Sequence, residues 1–278
     1  MLVQGARVLV AGGSSGVGLG TAKACARQGC KHVVLVARGS ERLDKARAQV
    51  AALGVRCDVL ATDLTQAGAI EALEEFTDKI MGGVDLLVCN VANGEFRDFN
   101  ATSDDDLQAA WTCTALVAYR LAKTFVPPMR ERGRGHVAIV NSPVRATPYF
   151  AVGYKVSRTA LFGVAEALRS NLEGSGVGLT YAEPPRISDS GYFDTNAGVL
   201  DQLPPMFRSP RFAFLWQTSD EAGRMVARAI ANNRYWATTF LVGLLVLLAP
   251  FLPMPLLRFM LGDPVRKIAT PASAGGSS

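Results

Sequence analysis

Residues Val8–Gly20, VLVAGGSSGVGLG, restrict the fold of this 278-residue chain more than any other stretch. Val8, Leu9 and Val10 are an apolar run with β-branched ends, the composition of a strand buried on both faces. Gly12, Gly13, Gly16, Gly18 and Gly20 then crowd one turn, and Thr21–Gln28 reads as helix. Strand, glycine turn and helix form the entry unit of a dinucleotide-binding α/β fold. In that unit the glycines let the main chain approach a pyrophosphate, and the helix N-terminus offers free N–H groups. A glycine turn can also serve tight packing alone; the strand before it and the helix after it favour the nucleotide.

The alternation continues. Val33–Val36 is a second strand ending at Ala37-Arg38, beside the adenosine ribose in a fold of this kind. An acidic side chain there would hold a free 2′-hydroxyl. Arg38, with Arg42 one helical turn on, instead offers a charged fork to a 2′-phosphate, so the expected cofactor is NADP(H). Two solvated arginines opening a helix are the alternative. Leu43–Leu53 is an amphipathic helix, Cys57–Thr62 a third strand closed by Asp63-Leu64, and Ala69–Lys79 a helix before the Gly82-Gly83 turn. Asp85–Asn90 reads as a fourth strand, and Asp104–Met129 as a long helical stretch stopped by Pro127-Pro128. Val137–Val140 is the fifth strand, leading into Asn141-Ser142, and Ala151–Leu172 is a helix carrying Tyr154. Val177–Tyr181 is the sixth strand and Glu221–Asn232 a last amphipathic helix. The order predicts one Rossmann-type doubly wound parallel sheet over residues 1–232, with helices on both faces and a ligand crevice at the carboxyl ends of the strands.

Ala237–Leu257 carries no charge and is flanked by Arg234 on one side and Arg258, Arg266 and Lys267 on the other. Its length suffices for a bilayer span, but Pro250, Pro253 and Pro255 interrupt its second half. Residues 233–268 are therefore expected to associate with a membrane as a span, a hairpin or a monotopic insertion, with a buried soluble helix as the alternative. Residues 269–278 are small and polar and are expected to be disordered. The net charge of +5 is scattered apart from Arg130–His136, which suits an anionic membrane face better than nucleic acid, and no nucleic-acid partner is expected. Five cysteines in no metal-ligand or disulfide spacing point to reduced thiols facing a cytosolic environment, and no metal site is expected. No signal peptide is expected ahead of the first strand.

Several motifs agree in order: Gly12-x-x-x-Gly16-x-Gly18, VARGSERL from Val36, Thr62-Asp63-Leu64, and Tyr154-Lys155-Val156-Ser157-Arg158. Together they resemble the short-chain dehydrogenase/reductase family over roughly residues 5–232. The resemblance implies that Gly12, Ser14, Ser15, Gly16, Gly18, Arg38, Arg42, Asp63, Leu64 and Asn90 hold NADPH together with Tyr154 and Arg158, with Asp63 accepting from the adenine amino group. The chain departs from the family at Ala11, where Thr is usual, and at Cys89-Asn90-Val91-Ala92, where Asn-Asn-Ala-Gly is usual.

Carbonyl reduction needs an acid that hands a proton to the developing alkoxide as hydride arrives. A tyrosine serves when its pKa is drawn down from about 10 by its neighbours. The family pattern, Ser with Tyr-x-x-x-Lys and an Asn that anchors a relay water, assigns these roles here. Tyr154 would donate the proton, Ser142 would polarise the ketone, Arg158 would replace the lysine and Thr114 the asparagine. Arg158 keeps the cation but cannot relay a proton at physiological pH. Lys155 is no substitute, because adjacent residues on a helix project about 100° apart. Two readings follow, a working reductase with altered kinetics and a nucleotide-binding regulatory protein with little turnover.

Gly163–Leu172 (GVAEALRSNL), Ala182–Phe193 (AEPPRISDSGYF) and the apolar C-terminal residues are similar to the 3-ketodihydrosphingosine reductase branch of that family. That likeness implies reduction of a long-chain lipid ketone, 3-ketosphinganine, to sphinganine. It further implies an endoplasmic reticulum membrane location with the catalytic domain facing the cytosol. Residues of about 186–219, including Phe193, Leu203, Met206, Phe207, Phe212 and Phe214, would form an apolar substrate lid, with aromatic residues packing an irregular loop as the alternative. A retinoid, steroid or fatty acyl ketone stays open as substrate, and so does homo-oligomerisation.

Overall fold

Strands β1 (Arg7–Ala11), β2 (His32–Ala37), β3 (Arg56–Ala61), β4 (Leu86–Cys89), β5 (Gly135–Val140), β6 (Val177–Ala182) and β7 (Trp236–Ala237) make one parallel sheet in the computed structural model. The structure describes residues 2–93, 97, 99–144, 151–189, 210–253 and 255. The strand order is β3-β2-β1-β4-β5-β6-β7, so the connection reverses direction between β1 and β4. A crevice opens at such a switch, outside the carboxyl ends of the strands.

Helices α1 (Gly16–Arg27), α2 (Ser40–Ala51), α3 (Ala69–Met81), α4 (Asp104–Trp111), α5 (Val117–Glu131), α6 (Val152–Leu172) and α7 (Ser219–Ala231) cover the two faces. The twofold period of a strand sorts the core. Val8, Val10, Val33 and Leu35 point to one side, against Ala22 and Cys25 of α1 and Val226 and Ile230 of α7. Leu9, Ala11, Val34 and Val36 point to the other, against Leu73, Leu121, Phe125 and Leu161. Both faces are apolar, which is why these strands read as unbroken hydrophobic runs. Helices α1 and α7 meet where Gly20 lies against the α7 main chain; a Cβ on Gly20 would stand 2.1 Å from the Ser219 oxygen. Lys23 pairs with Asp220 across the same crossing at 2.7 Å.

Helix α1 starts at Gly16, five residues before the expected Thr21, so Gly16, Gly18 and Gly20 belong to its first turns and not to the glycine turn. The other strand and helix positions follow the sequence expectations to within a few residues, with three further corrections. The prolines do not stop the fourth helical stretch: α5 runs through Pro127 and Pro128 to Glu131. Buried Leu121, Phe125, Val126 and Met129 hold this face to the sheet and outweigh the lost N–H groups. The same stretch is not one α-helix, because a π-helical turn at Thr112–Leu116 separates α4 from α5. The third correction concerns the uncharged C-terminal run. Trp236–Ala237 joins the sheet beside β6, Phe240–Leu248 is the short helix α8, and Ala249–Phe251 is a 3-10 turn. Among the described residues no helix is long and apolar enough to cross a membrane. A nine-residue helix reaches about 13 Å, against about 30 Å of hydrocarbon. Most of the expected lid (190–209), the tail 269–278 and the flanking Arg258, Arg266 and Lys267 lie outside the described residues.

Neither histidine is placed for chemistry in the crevice. His136 is buried in β5 with its Nε2 2.9 Å from Thr180 Oγ1, and burial pulls its pKa down to about 4. Stability from a depressed histidine is complete above its unfolded value of about 6.5 and is lost as pH falls from there toward 4. The cost over that window is about 3 kcal/mol. His136→Gln is therefore expected to match the parent in urea unfolding near neutral pH and to lose less stability on acidification. Equal acid sensitivity of the two proteins would remove His136 as the cause. Burial also raises the thiols, to about 11 at Cys30 and about 12 at Cys57 and Cys89.

Candidate active site

The crevice at the switch point has a volume of about 1380 Å³ and is floored by the glycine turn. The turn is clamped from β4: Asn90 Nδ2 donates to the Gly12 carbonyl at 2.9 Å. Gly12 has φ +81°, and a Cβ there would stand 2.9 Å from the Asn90 carbonyl. A Cβ on Gly18 would stand 2.2 Å from the Gly12 oxygen and 2.7 Å from Asn90 Nδ2. Gly16, at φ +57°, has nothing within 4 Å of its missing Cβ and faces the opening. Asn90 and Gly18 thus shape the turn, while Gly12, Ser14, Ser15 and Gly16 line the crevice.

Helix α1 begins at this opening. Its N-cap Ser15 makes no side-chain capping bond, and no acidic residue occupies the first turn. Unsatisfied N–H groups and the positive end of the helix dipole therefore meet the crevice, the arrangement that receives a pyrophosphate. Arg38 and Arg42 also line it, both exposed, at the end of β2 and the start of α2. Their position fits a 2′-phosphate, two cations above another uncapped helix N-terminus at Gly39. Asp63 and Leu64 line the wall after β3. The Asp63 carboxylate accepts from the Thr65 N–H at 3.0 Å and Oγ1 at 2.8 Å, and these bonds hold it below the usual carboxylate range. Every residue expected to touch the cofactor lines the crevice except Gly18, which acts from beneath.

At the other end of the crevice the sheet and α6 bring two hydroxyls together. Ser142 follows β5 and Tyr154 lies in the first turn of α6, twelve residues on, with Ser142 Oγ 2.6 Å from the Tyr154 hydroxyl. Tyr154 is 8% exposed. Arg158, one helical turn later, stands with Cζ 5.2 Å from the centre of the Tyr154 ring, and its Nη1 donates to the Val140 carbonyl at 3.1 Å. A guanidinium at this distance from a ring face is held by cation–π attraction. Its Nε is buried with no hydrogen-bond partner among the described residues. Lys155 turns away from the phenol and donates to the Val144 carbonyl.

Thr114 does not line the crevice. It is 1% exposed in the π-helical turn, donating to the Asn93 carbonyl at 3.3 Å and accepting from the Asn93 N–H at 3.4 Å. In this geometry its hydroxyl clasps the loop after β4 and does not face the crevice, where a relay water would lie. The neighbouring Cys113 faces the crevice instead.

Two groups escaped the sequence reading. Asn141 Nδ2 donates to the Arg158 carbonyl at 2.9 Å and to the Tyr181 hydroxyl at 2.7 Å. The Tyr181 hydroxyl donates to Glu183 Oε1 at 3.1 Å, and Trp236 Nε1 donates to Oε2 at 2.9 Å. Glu183 has no exposed surface, so this chain of bonds satisfies a buried carboxylate and pins the α6 backbone at Arg158 to the sheet. Arg186, after Pro184-Pro185, enters the crevice with its guanidinium 4.0 Å above the Trp216 ring, and burial lowers its pKa. Glu183 and Arg186 both lie in the Ala182–Phe193 motif, but their partners Tyr181, Trp236 and Trp216 come from separate strands and loops, so the motif does not give their roles.

Fold and crevice together define a Rossmann-type protein built to receive a dinucleotide beside a tyrosine–serine pair. The model of the short chain dehydrogenase family matches residues 6–196, and the chain belongs to that family. An uncharacterized oxidoreductase of Mycobacterium tuberculosis is 33% identical over 204 residues, covering 69% of this chain and 59% of that protein. The chain thus aligns with well under two thirds of that relative's length. A fatty acyl-CoA reductase of the same organism is 30% identical over 209 residues, covering 73% of this chain and 70% of that one. Among solved structures, L-sorbose reductase from Gluconobacter frateurii complexed with NADPH and L-sorbose shares the fold. Its TM-score is 0.70 at 24% identity, covering 85% of this chain and 95% of that chain.

Proposed function

We propose that the protein is an NADPH-dependent reductase of a lipid ketone, with 3-ketosphinganine as the first substrate to test. The observation that carries the reduction is the 2.6 Å contact of Ser142 with Tyr154 inside a crevice floored by the glycine turn. Arg38 and Arg42 support the phosphorylated cofactor. The lipid half rests on the sequence likeness and on a relative named a fatty acyl-CoA reductase. On this reading the catalytic domain faces the cytosol at the endoplasmic reticulum membrane, the location that the sequence likeness implies.

NADPH, when bound, supplies a hydride to the carbonyl carbon. Ser142 holds the carbonyl oxygen, and the Tyr154 hydroxyl gives up its proton to that oxygen as negative charge builds there. The Arg158 guanidinium, 5.2 Å from the centre of the phenol ring, is the cation beside the group as its proton leaves. Because a guanidinium does not release a proton, Tyr154 regains its own through the Ser142 hydroxyl or from water in the crevice.

The test follows loss of nicotinamide absorbance with purified protein, NADPH and a panel of ketones: 3-ketosphinganine, a retinoid, a steroid and a fatty acyl ketone. Turnover is expected with a lipid ketone, and Arg158→Lys is expected to raise it by restoring a group able to relay protons. Arg38→Ala is expected to weaken NADPH binding about tenfold, the loss of one charge-assisted contact. Saturable NADPH binding with no turnover in either the parent or Arg158→Lys would replace the reductase by a nucleotide-binding regulator.

A further inference from the structure

Helix α8 is apolar all round, yet only one side of it is buried. Val246 and Ala249 pack with Trp236, Val242 and Leu245. The other side leaves Phe240 at 82%, Leu241 at 52%, Leu244 at 44%, Leu247 at 59%, Leu248 at 46% and Phe251 at 83% exposure. The spacing 240, 244, 247–248 is that of one helical stripe, and Phe251 follows it in the 3-10 turn. Beside the N-terminus of α8 runs a groove of about 400 Å³, where Arg224 and Arg228 of α7 and Arg234 of the following turn meet Thr238 and Thr239. All three arginines are exposed. The carboxylate lining the groove, Glu221, is bonded by the Thr218 N–H at 2.7 Å and Oγ1 at 2.9 Å, closing the cap of α7. Trp236 joins the two features, lining the groove and packing 3.4 Å from where a Cβ on Gly243 would lie.

We propose that this stripe and groove form a membrane-docking surface, on which α8 lies in the plane of a bilayer and the three arginines take the phosphate of an anionic lipid headgroup. The proposal rests on the lipid-substrate reading for its purpose, and on charge and shape for its occupant. A helix about 13 Å long cannot cross the hydrocarbon, so its exposed apolar side is buried in a bilayer only by lying at the interface. A second copy of this chain would bring the same three arginines to the contact as like charges. An anionic lipid surface instead supplies their counter-charge, worth roughly a fivefold gain in binding per arginine.

The experiment is flotation of the full chain with phosphatidylcholine vesicles, with and without phosphatidylserine, alongside its oligomeric state by light scattering. The chain is expected to float with the anionic vesicles and to be released by salt. Phe240→Ser with Phe251→Ser, at the two most exposed positions, is expected to abolish flotation while NADPH binding stays unchanged, showing the fold intact. Arg224→Gln with Arg228→Gln and Arg234→Gln is expected to weaken anionic-vesicle binding roughly a hundredfold and to leave the residual affinity for phosphatidylcholine. Absence of flotation, or indifference to the arginine variant, overturns the proposal. So does a dimer that the phenylalanine variant dissociates, which would give the face to a second copy. A chain that floats without reducing any ketone keeps this surface and loses the reductase reading; one that reduces soluble ketones without floating does the reverse.

Discussion

Tyr154→Phe is expected to lower kcat/KM for ketone reduction about 10³-fold, equivalent to roughly 4 kcal/mol of transition-state stabilisation. The substitution removes one oxygen, the atom 2.6 Å from Ser142 Oγ, and keeps the ring on which the Arg158 guanidinium rests. Its effect on stability is expected to be about 1 kcal/mol, one hydrogen bond. Binding of NADPH, measured by nicotinamide fluorescence, is expected to change less than twofold, because the phosphate contacts lie at the other end of the crevice. Chemistry and binding therefore separate in one variant. Activity within tenfold of the parent would mean that another group delivers the proton.

The second large effect falls on the floor of the crevice. A Cβ at Gly18 would stand 2.2 Å from the Gly12 oxygen and 2.7 Å from Asn90 Nδ2, and the first of these is backbone. Neither neighbour can give: Gly12 is held by the Asn90 bond, and Asn90 follows β4 with its N–H on the Ala11 carbonyl. Gly18→Ala is therefore expected to cost about 3 kcal/mol by overpacking. It is also expected to abolish NADPH binding at concentrations that saturate the parent, since the turn opens where the pyrophosphate would lie. Thermal unfolding and a fluorescence titration check the two halves. Gly16→Ala is the matched control for the stability half alone, because its missing Cβ meets nothing in the protein within 4 Å and strain at φ +57° is its cost to folding. A Gly18→Ala variant that melts with the parent would show that the turn is free to move.

Arg158 stands where the family pattern has lysine, and its surroundings show what the change entails. The guanidinium reaches the Val140 carbonyl and the face of the phenol together, which a single flexible ammonium would do differently. Its backbone is tied to Asn141, and through Tyr181 to the buried Glu183. The cation beside Tyr154 is thus set by a network that extends to Trp236, the residue underlying α8.

The glycine turn, the two-sided apolar strands and the order of strand and helix are local properties of the chain, and for that reason they were legible in the sequence. Val8–Val10 with Gly12–Gly18 needs no distant partner to favour a strand and a tight turn, and the parallel sheet follows from repeating that unit. The pairing of Ser142 with Tyr154 was legible through the likeness to the family's Ser and Tyr-x-x-x-Lys pattern, and the two hydroxyls stand 2.6 Å apart. What tertiary contact alone decided is the fate of groups whose energy depends on a remote neighbour. Thr114 spends its hydroxyl on Asn93, and Pro127 and Pro128 continue a helix that the sheet holds in place. Asn141, Tyr181, Glu183 and Trp236 satisfy one another from separate strands. The uncharged run after Arg234 breaks into a sheet edge and a short helix because Trp236–Ala237 gains hydrogen bonds to β6. Hydropathy measures how much a segment avoids water, whereas the surface that shelters it is set by the rest of the fold.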